Sequence, residues 1–336
     1  MTVVDGNKRI FWIDNLRALA CMMVIMIHTT TFYVTHGMEI GEYNWLLANV
    51  LNSASRVAVP LFFMISGFLF FGERPAGKKH FLRVGLCLLF YSLVGLLYMT
   101  LFTPINVKLA LEGMLQKPIF YHLWFFYAVI VIYLLSPLVQ VKPVSAGYIT
   151  AAILLLAVVA NPNTVPLHLG RMTLLPVNLF IGGDTFYYIL YAILGRAIGM
   201  LDLPGKMIPF LAAAVFVITA ALVAVGTKKQ LIINGDFADT YYLYCGPLVF
   251  VGAVALFILF KQTCCRRSYP PLRLISRYSL AIYGFHAFII HYMRTHGLDV
   301  KAYPPLDIVY IFIVTLALSL LLAVGLSKLD IRRWVS

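Results

Sequence analysis

Long apolar stretches separated by short polar intervals run the length of this chain. A helix that crosses a bilayer needs roughly 20 predominantly apolar residues, within about 17–25. Ten stretches approach that length: Leu16–Thr35, Trp45–Phe71, Phe81–Phe102, His122–Val141, Tyr148–Ala160, Thr185–Met200, Ile208–Val225, Tyr242–Phe260, Leu274–Tyr292 and Ile308–Leu326. The fifth and sixth are the shortest, and one of them is expected to tilt, break or lie partly in the interface. The pattern predicts an all-α polytopic membrane protein of about ten transmembrane helices. No internal repeat, Gly/Ser linker or low-complexity run divides it, so residues 1–336 read as a single membrane-embedded domain. The start, MTVVDGNKRIFWIDNLRALA, does not read as a cleavable signal peptide. The apolar run after it is long, contains a histidine and lacks a small-residue exit, so a retained first span is expected.

Composition agrees with the pattern. Of 336 residues 62% are hydrophobic and only 12% are charged, against roughly 45–50% and about 25% in a soluble domain. A globule of this size must cover itself with polar side chains; a chain bathed in lipid need not. Its 24 Phe and 20 Tyr suit interfacial belts.

The net charge of +13 would suggest nucleic acid in a soluble protein. Here the cations cluster between apolar stretches, so they read as topological signals and no nucleic-acid partner is expected. With the N-terminus in the cytoplasm, 18 of the 26 Lys and Arg residues, from Lys8 to Arg333, fall on the cytoplasmic side. Seven (Lys108, Lys117, Arg171, Lys228, Lys229, Arg294 and Lys301) fall opposite, and Arg56 lies inside the second stretch. The asymmetry predicts both termini in the cytoplasm, which also requires an even number of crossings. Cys21, Cys87, Cys245 and the adjacent Cys264-Cys265 make neither a disulfide framework nor a zinc pattern, and no metal is expected.

Ionisable side chains at membrane depth are costly and mark the places to look for function. Arg17 and His28 are eleven residues apart, which puts them within about 20° of each other around a helix and roughly 16 Å apart along it. Asp14, three residues before Arg17, can pair with it or fix its orientation. An imidazole with an ordinary pKa of about 6.5 can take a proton from a substrate hydroxyl, with the arginine as a cationic anchor nearer the surface. The alternative is a buried histidine bonded to a backbone carbonyl, with a snorkelling arginine. Arg56, which cannot lose its proton, needs a carboxylate, phosphate or carbonyl partner. Ser66-Gly67 permits close helix packing. Lys78, Lys79 and Arg83 open the third stretch, as topological signals or as a cradle for an anionic ligand. His122, in YHLWFF, and Tyr283 and His286, in RYSLAIYGFHAFIIHYMR, add two further imidazoles and a phenol. His286 and His291 are not at the i,i+4 spacing of a helical metal pair. No GxSxG, phosphate-loop or dinucleotide motif occurs.

Taken in order, IDNLR with Arg-x10-His, FFMISGFLFF, the basic start of the third stretch, HLWFF and SLAIYGFH resemble the acyltransferase-3 family of membrane-bound acyltransferases over essentially the whole chain. The resemblance implies that His28 is the catalytic base, Arg17 its essential partner, and Lys79 and Arg83 the donor-binding pair. The family has arginine at both of these last positions; lysine at 79 keeps the charge but not the planar fork. It further implies acetyl-CoA as donor, supplied from the cytoplasm, and as acceptor a hydroxyl of a lipid-linked glycan. The setting implied is a bacterial inner membrane. Among the residues themselves, Arg56, Tyr283 and His286 are the candidates to stabilise the oxyanion. A transporter or flippase of a lipid-linked glycan, or a family member acting on another glycan, stands as the alternative.

Overall fold

The computed structural model describes residues 4–5, 8–104, 107–113, 116–265, 267, 269–332 and 334–336. Of the cations assigned to the cytoplasmic side, Arg266 and Arg333 lie outside the described residues. The chain is almost entirely helical: α1 (Phe11–Thr35), α2 (Glu42–Ser55), α3 (Ala58–Phe70), α4 (Lys78–Phe102), α5 (Val107–Glu112), α6 (Trp124–Leu135), α7 (Ala146–Ala152), α8 (Asp184–Met200), α9 (Ile208–Asn234), α10 (Pro247–Thr263), α11 (Pro270–Thr295) and α12 (Pro304–Leu329). Two short antiparallel hairpins, β1–β2 (Val4–Asp5, Lys8–Arg9) and β3–β4 (Leu167–Leu169, Met172–Leu175), stand outside the bundle. Six segments are long and apolar enough to cross a membrane: Phe11–Thr35, Glu42–Phe70, Lys78–Phe102, Ile208–Asn234, Thr240–Thr263 and Pro304–Leu329.

The other expected spans differ for readable reasons. The fourth, Tyr121–Leu135, is shorter than its apolar run. It stops at Ser136 because Pro137 has no N–H to continue the helix ladder. The fifth, Ala146–Val159, loosens after Ala152 into a π-helical turn, Ile153–Val159. The sixth is α8, with 17 residues. The ninth, α11, is 26 residues long but amphipathic, with Arg273, Arg277 and Arg294 among its residues. The second is not one helix: Pro60 cannot donate to the Arg56 carbonyl, so the chain breaks at Arg56–Val57, between α2 and α3.

Sidedness along each helix explains the composition. On α4 the leucines at 89, 93, 97 and 101 recur every fourth residue and are all more than half exposed. Around the helix from that stripe, Cys87, Tyr91 and Tyr98 are buried. The outer surfaces of α9 and α12 are likewise apolar. Exposed apolar area on this scale belongs in lipid. The interior holds the polar groups, including Asn49, Asn52, Thr30, Ser276 and Asp307.

α1 is the hub, packing against α2, α3, α10, α11 and α12. Its far end is pinned by an ion network. Arg294 on α11 bonds Asp307 on α12 at 2.6 Å and Asp299 at 3.2 Å, and Tyr33 of α1 donates to Asp307 at 2.7 Å. The Val300 N–H donates to the other Asp307 oxygen at 2.6 Å. α3 and α8 cross closely enough that a Cβ on Gly67 would fall inside the Ala192 carbonyl, and one on Gly195 inside that of Met64. Close packing at Ser66-Gly67 is therefore found at Gly67, while the Ser66 hydroxyl bonds back to Phe62 at 2.8 Å.

Two stability predictions follow from this packing. Gly67→Leu forces α3 and α8 apart and should cost at least the roughly 1–3 kcal/mol of an overpacked core, read as a lower melting temperature and yield in detergent. Asp307→Ala leaves buried Arg294 with Asp299 alone and should cost about 3 kcal/mol, the lower end for breaking a buried pair, measured by the same melt.

Candidate functional site

Three regions of the bundle are strung along α1. Nearest its N-terminus, Arg17 stands within electrostatic reach of Asp14, Tyr133 and Arg83. Asp14 is buried and accepts from the Ser276 hydroxyl of α11 at 3.3 Å. Arg83 lies in the second turn of α4, and Lys79 is exposed one turn nearer its start. α4 opens on Lys78 and Lys79 with no acidic residue in its first turn. Cations there oppose the positive end of the helix dipole, an arrangement that suits a bound anion.

The segment after α12 folds back on this region. The carbonyls of Trp334, Val335 and Ser336 accept from Cys87 Sγ at 3.3 Å, Tyr91 Oη at 3.0 Å and Arg83 Nη2 at 2.7 Å. Asp330 holds that segment by accepting from the N–H groups of 334, 335 and 336 at 2.7–2.9 Å. Burial pushes the Asp330 carboxyl up, but these donors together outweigh it and keep it below the ordinary aspartate value.

Deeper along α1, His28 is half-buried and makes no hydrogen bond to a described residue. Its ring centroid lies 5.1 Å from that of His286 and 5.3 Å from that of Tyr121, and Arg56 is within electrostatic reach. His122 lies 5.3 Å from His286, centroid to centroid. Its Nε2 donates to the Gly284 carbonyl at 3.1 Å, its own carbonyl accepts from the Tyr283 hydroxyl, and its Nδ1 is buried without a partner. His286 Nδ1 donates to the Tyr283 carbonyl at 2.6 Å, leaving Nε2 buried and unbonded. In a neutral ring that nitrogen is an acceptor. The Tyr283 hydroxyl is engaged by the His122 carbonyl. Among the described residues no group of three or more His, Cys, Asp or Glu side chains could hold a metal ion.

Beyond His28, toward the end of α1, a cavity of about 260 Å³ opens. Thr31, one turn past His28, lines it together with Arg56, Asn52, Asp184, Tyr188, Asp239, Tyr242 and Tyr244. Arg56 enters because the chain breaks beside it. Its Nε bonds the Asn52 amide oxygen at 2.8 Å, and its guanidinium lies 4.2 Å from the Tyr242 ring centroid. The partner is thus an amide carbonyl and aromatic faces; no carboxylate among the described residues pairs with it.

The structure brings His28, Arg56, His122, Tyr283 and His286 into one neighbourhood, and Arg17, Asp14 and Arg83 into another. Lys79 stays at the rim. Sequence reading missed Tyr133, which only folding brings to Arg17, and the cavity residues Asp184, Tyr188, Asp239, Tyr242 and Tyr244. The signal available for these was the acidic and aromatic mixture of GDTFYY and DFADTYYLY at the ends of the sixth and eighth stretches. Tyr121, read as an interfacial-belt residue, stacks obliquely near His28.

Comparison with known proteins bears on this arrangement. An amino-acid racemase of Enterococcus faecalis and a serine/alanine racemase of Enterococcus gallinarum are each 32% identical to the chain over 133 residues, or 35% of its length. The chain spans only 18% of the length of each of these relatives. No solved structure matches. The acyltransferase domain matches residues 10–324, nearly the entire chain. That span takes in Arg17, His28, Arg56 and the histidines around them, and the chain belongs to the acyltransferase-3 family of membrane-bound acyltransferases.

Proposed function

We propose that this protein transfers an acetyl group from cytoplasmic acetyl-CoA to a hydroxyl of a lipid-linked or surface glycan, with the N-acetylglucosamine residues of enterobacterial common antigen as acceptor. In this reading the chain crosses a bacterial inner membrane about ten times, with both termini in the cytoplasm. The observation that carries it is the layout along α1. A cationic region (Arg17, Arg83, Lys79) lies at one end. An imidazole with no hydrogen bond to a described residue stands roughly 16 Å away on the same helix face. Coenzyme A is polyanionic at one end and carries its thioester on an extended arm, so one donor molecule would engage both.

His28 takes the proton of the acceptor hydroxyl, whose oxygen attacks the thioester carbonyl carbon. The C–O bond forms as the carbonyl electrons move to oxygen, and Arg56, whose terminal nitrogens have no described partner, stabilises that oxyanion. Collapse breaks the C–S bond, and the departing thiolate takes the proton back from His28. His286 is a positioning residue: its free Nε2 can accept from His28 and select the tautomer that receives the proton. A dry interior protects the thioester from water.

Labelled acetyl-CoA supplied to the full chain in proteoliposomes tests the scheme. His28→Ala should lower transfer by about 10²–10⁴ with unchanged protein levels; retention of wild-type transfer would overturn it, and glycan movement without thioester use would favour a transporter. Arg83→Gln should raise KM for acetyl-CoA about tenfold or more, the size of a lost charge-assisted hydrogen bond, with little change in KM for acceptor.

A further inference from the structure

The cavity beyond His28 is a built site that the chemistry above leaves unassigned. Its charged groups are one guanidinium, Arg56, and two carboxylates, Asp184 and Asp239. Both carboxylates are exposed; Asp184 stands beside the Cys245 thiol, and neither forms an ion pair with a described residue. Asp184 opens α8 and Asp239 sits in the turn before α10, so two separate elements aim an acceptor-only group at the same space.

This charge balance disfavours a phosphate-rich ligand, which two carboxylates would repel. It separates the cavity from the cationic end of α1. Ionised carboxylates can only accept hydrogen bonds, so they call for a ligand rich in donors. The side chains of Tyr188, Tyr242 and Tyr244 line the same space and give it an aromatic wall. A ligand with C–H faces and a rim of hydroxyls meets both demands. At about 260 Å³ the cavity is near the lower bound of small-molecule sites, room for about one ring and its substituents.

We propose that this cavity is the acceptor subsite and holds one neutral pyranose ring. The ring's hydroxyls donate to Asp184 and Asp239, its C–H face lies against the tyrosine wall, and Arg56 bonds an oxygen at its inner edge. This rests on the acyl-transfer reading and adds to it which face of the bundle the sugar enters and what selects it. The geometry supports the direction of attack. Thr31 lines the cavity and lies three residues, about 4.5 Å of helix rise, beyond His28. A ring seated there turns one hydroxyl toward the imidazole.

The test uses the full chain in nanodiscs and methyl glycosides of N-acetylglucosamine, glucose and galactose as probes. Asp184→Asn, Asp239→Asn and the double variant change charge at exposed positions outside the reacting groups. With acetyl-CoA as donor, KM for the preferred glycoside should rise about tenfold to a hundredfold in the double variant. Thioester hydrolysis without acceptor and KM for acetyl-CoA should stay within about twofold. Calorimetric binding of the same glycoside without donor should weaken in parallel. Unchanged acceptor KM in all three variants would overturn the subsite while leaving acyl transfer standing. Glycoside binding that depends on both aspartates, with no acetyl transfer by the wild type, would sink the transfer reaction and keep the subsite. Failure of the wild type to bind any of the three glycosides at high millimolar concentration would also overturn it.

Discussion

A polar group at membrane depth has no water to turn to, so it must find a partner inside the protein or face a cavity. That constraint organises this molecule. Leucines at four-residue spacing on α4 turn outward, while asparagines, threonines and ionisable residues turn in. Most of the inward groups are satisfied. Asn52 donates to Ile27 and Thr30 and accepts from Arg56, and Asn49 bonds Ala224 and Tyr242. His28, His286 Nε2 and the terminal nitrogens of Arg56 make no hydrogen bond to a described residue, and these three lie in the one neighbourhood where acyl transfer is proposed.

The same constraint separates scaffold from site. Arg294 is as ionic as Arg17 or Arg56, but it is consumed by Asp307, Asp299 and the ring of Phe32. Its job is to lock the end of α1 against α11 and α12. With that end held, the His28 and His286 rings stay beside each other. The glycine crossing of α3 and α8 does the corresponding work on the other side, keeping α3 close enough that the break at Arg56 opens toward Tyr242. Pro60 thus has a functional consequence. By denying the Arg56 carbonyl a donor, it ends α2 where a guanidinium can leave the helix stack.

The layout along α1 also gives the two proposed substrates separate entrances. Near the start of α1 and α4 anionic groups find Arg17, Arg83 and Lys79, and the segment 334–336 also docks on Arg83. Near the other end hydroxyl-rich groups find Asp184 and Asp239. Charge alone therefore keeps the two ligands from exchanging places, and the imidazole stands between them.

Apolar periodicity by itself determined that the chain is helical and membrane-embedded, because lipid exposure demands an excess of hydrophobic residues that no soluble core explains. The 3.6-residue repeat placed Arg17 and His28 on a common face, and order of motifs pointed to the family. Span lengths were less legible, since Pro60, Pro137 and the π turn after Ala152 interrupt runs that hydropathy treats as continuous. Only the tertiary structure decided which partners surround His28. Residues 121, 122, 283 and 286 come from segments more than 90 positions away, and no local pattern encodes that meeting. It likewise decided that the Tyr283 hydroxyl is spent on His122, and that Asp184 and Asp239 face one cavity. Helix periodicity is local, whereas cavities and hydrogen-bond partners are set by how distant helices cross.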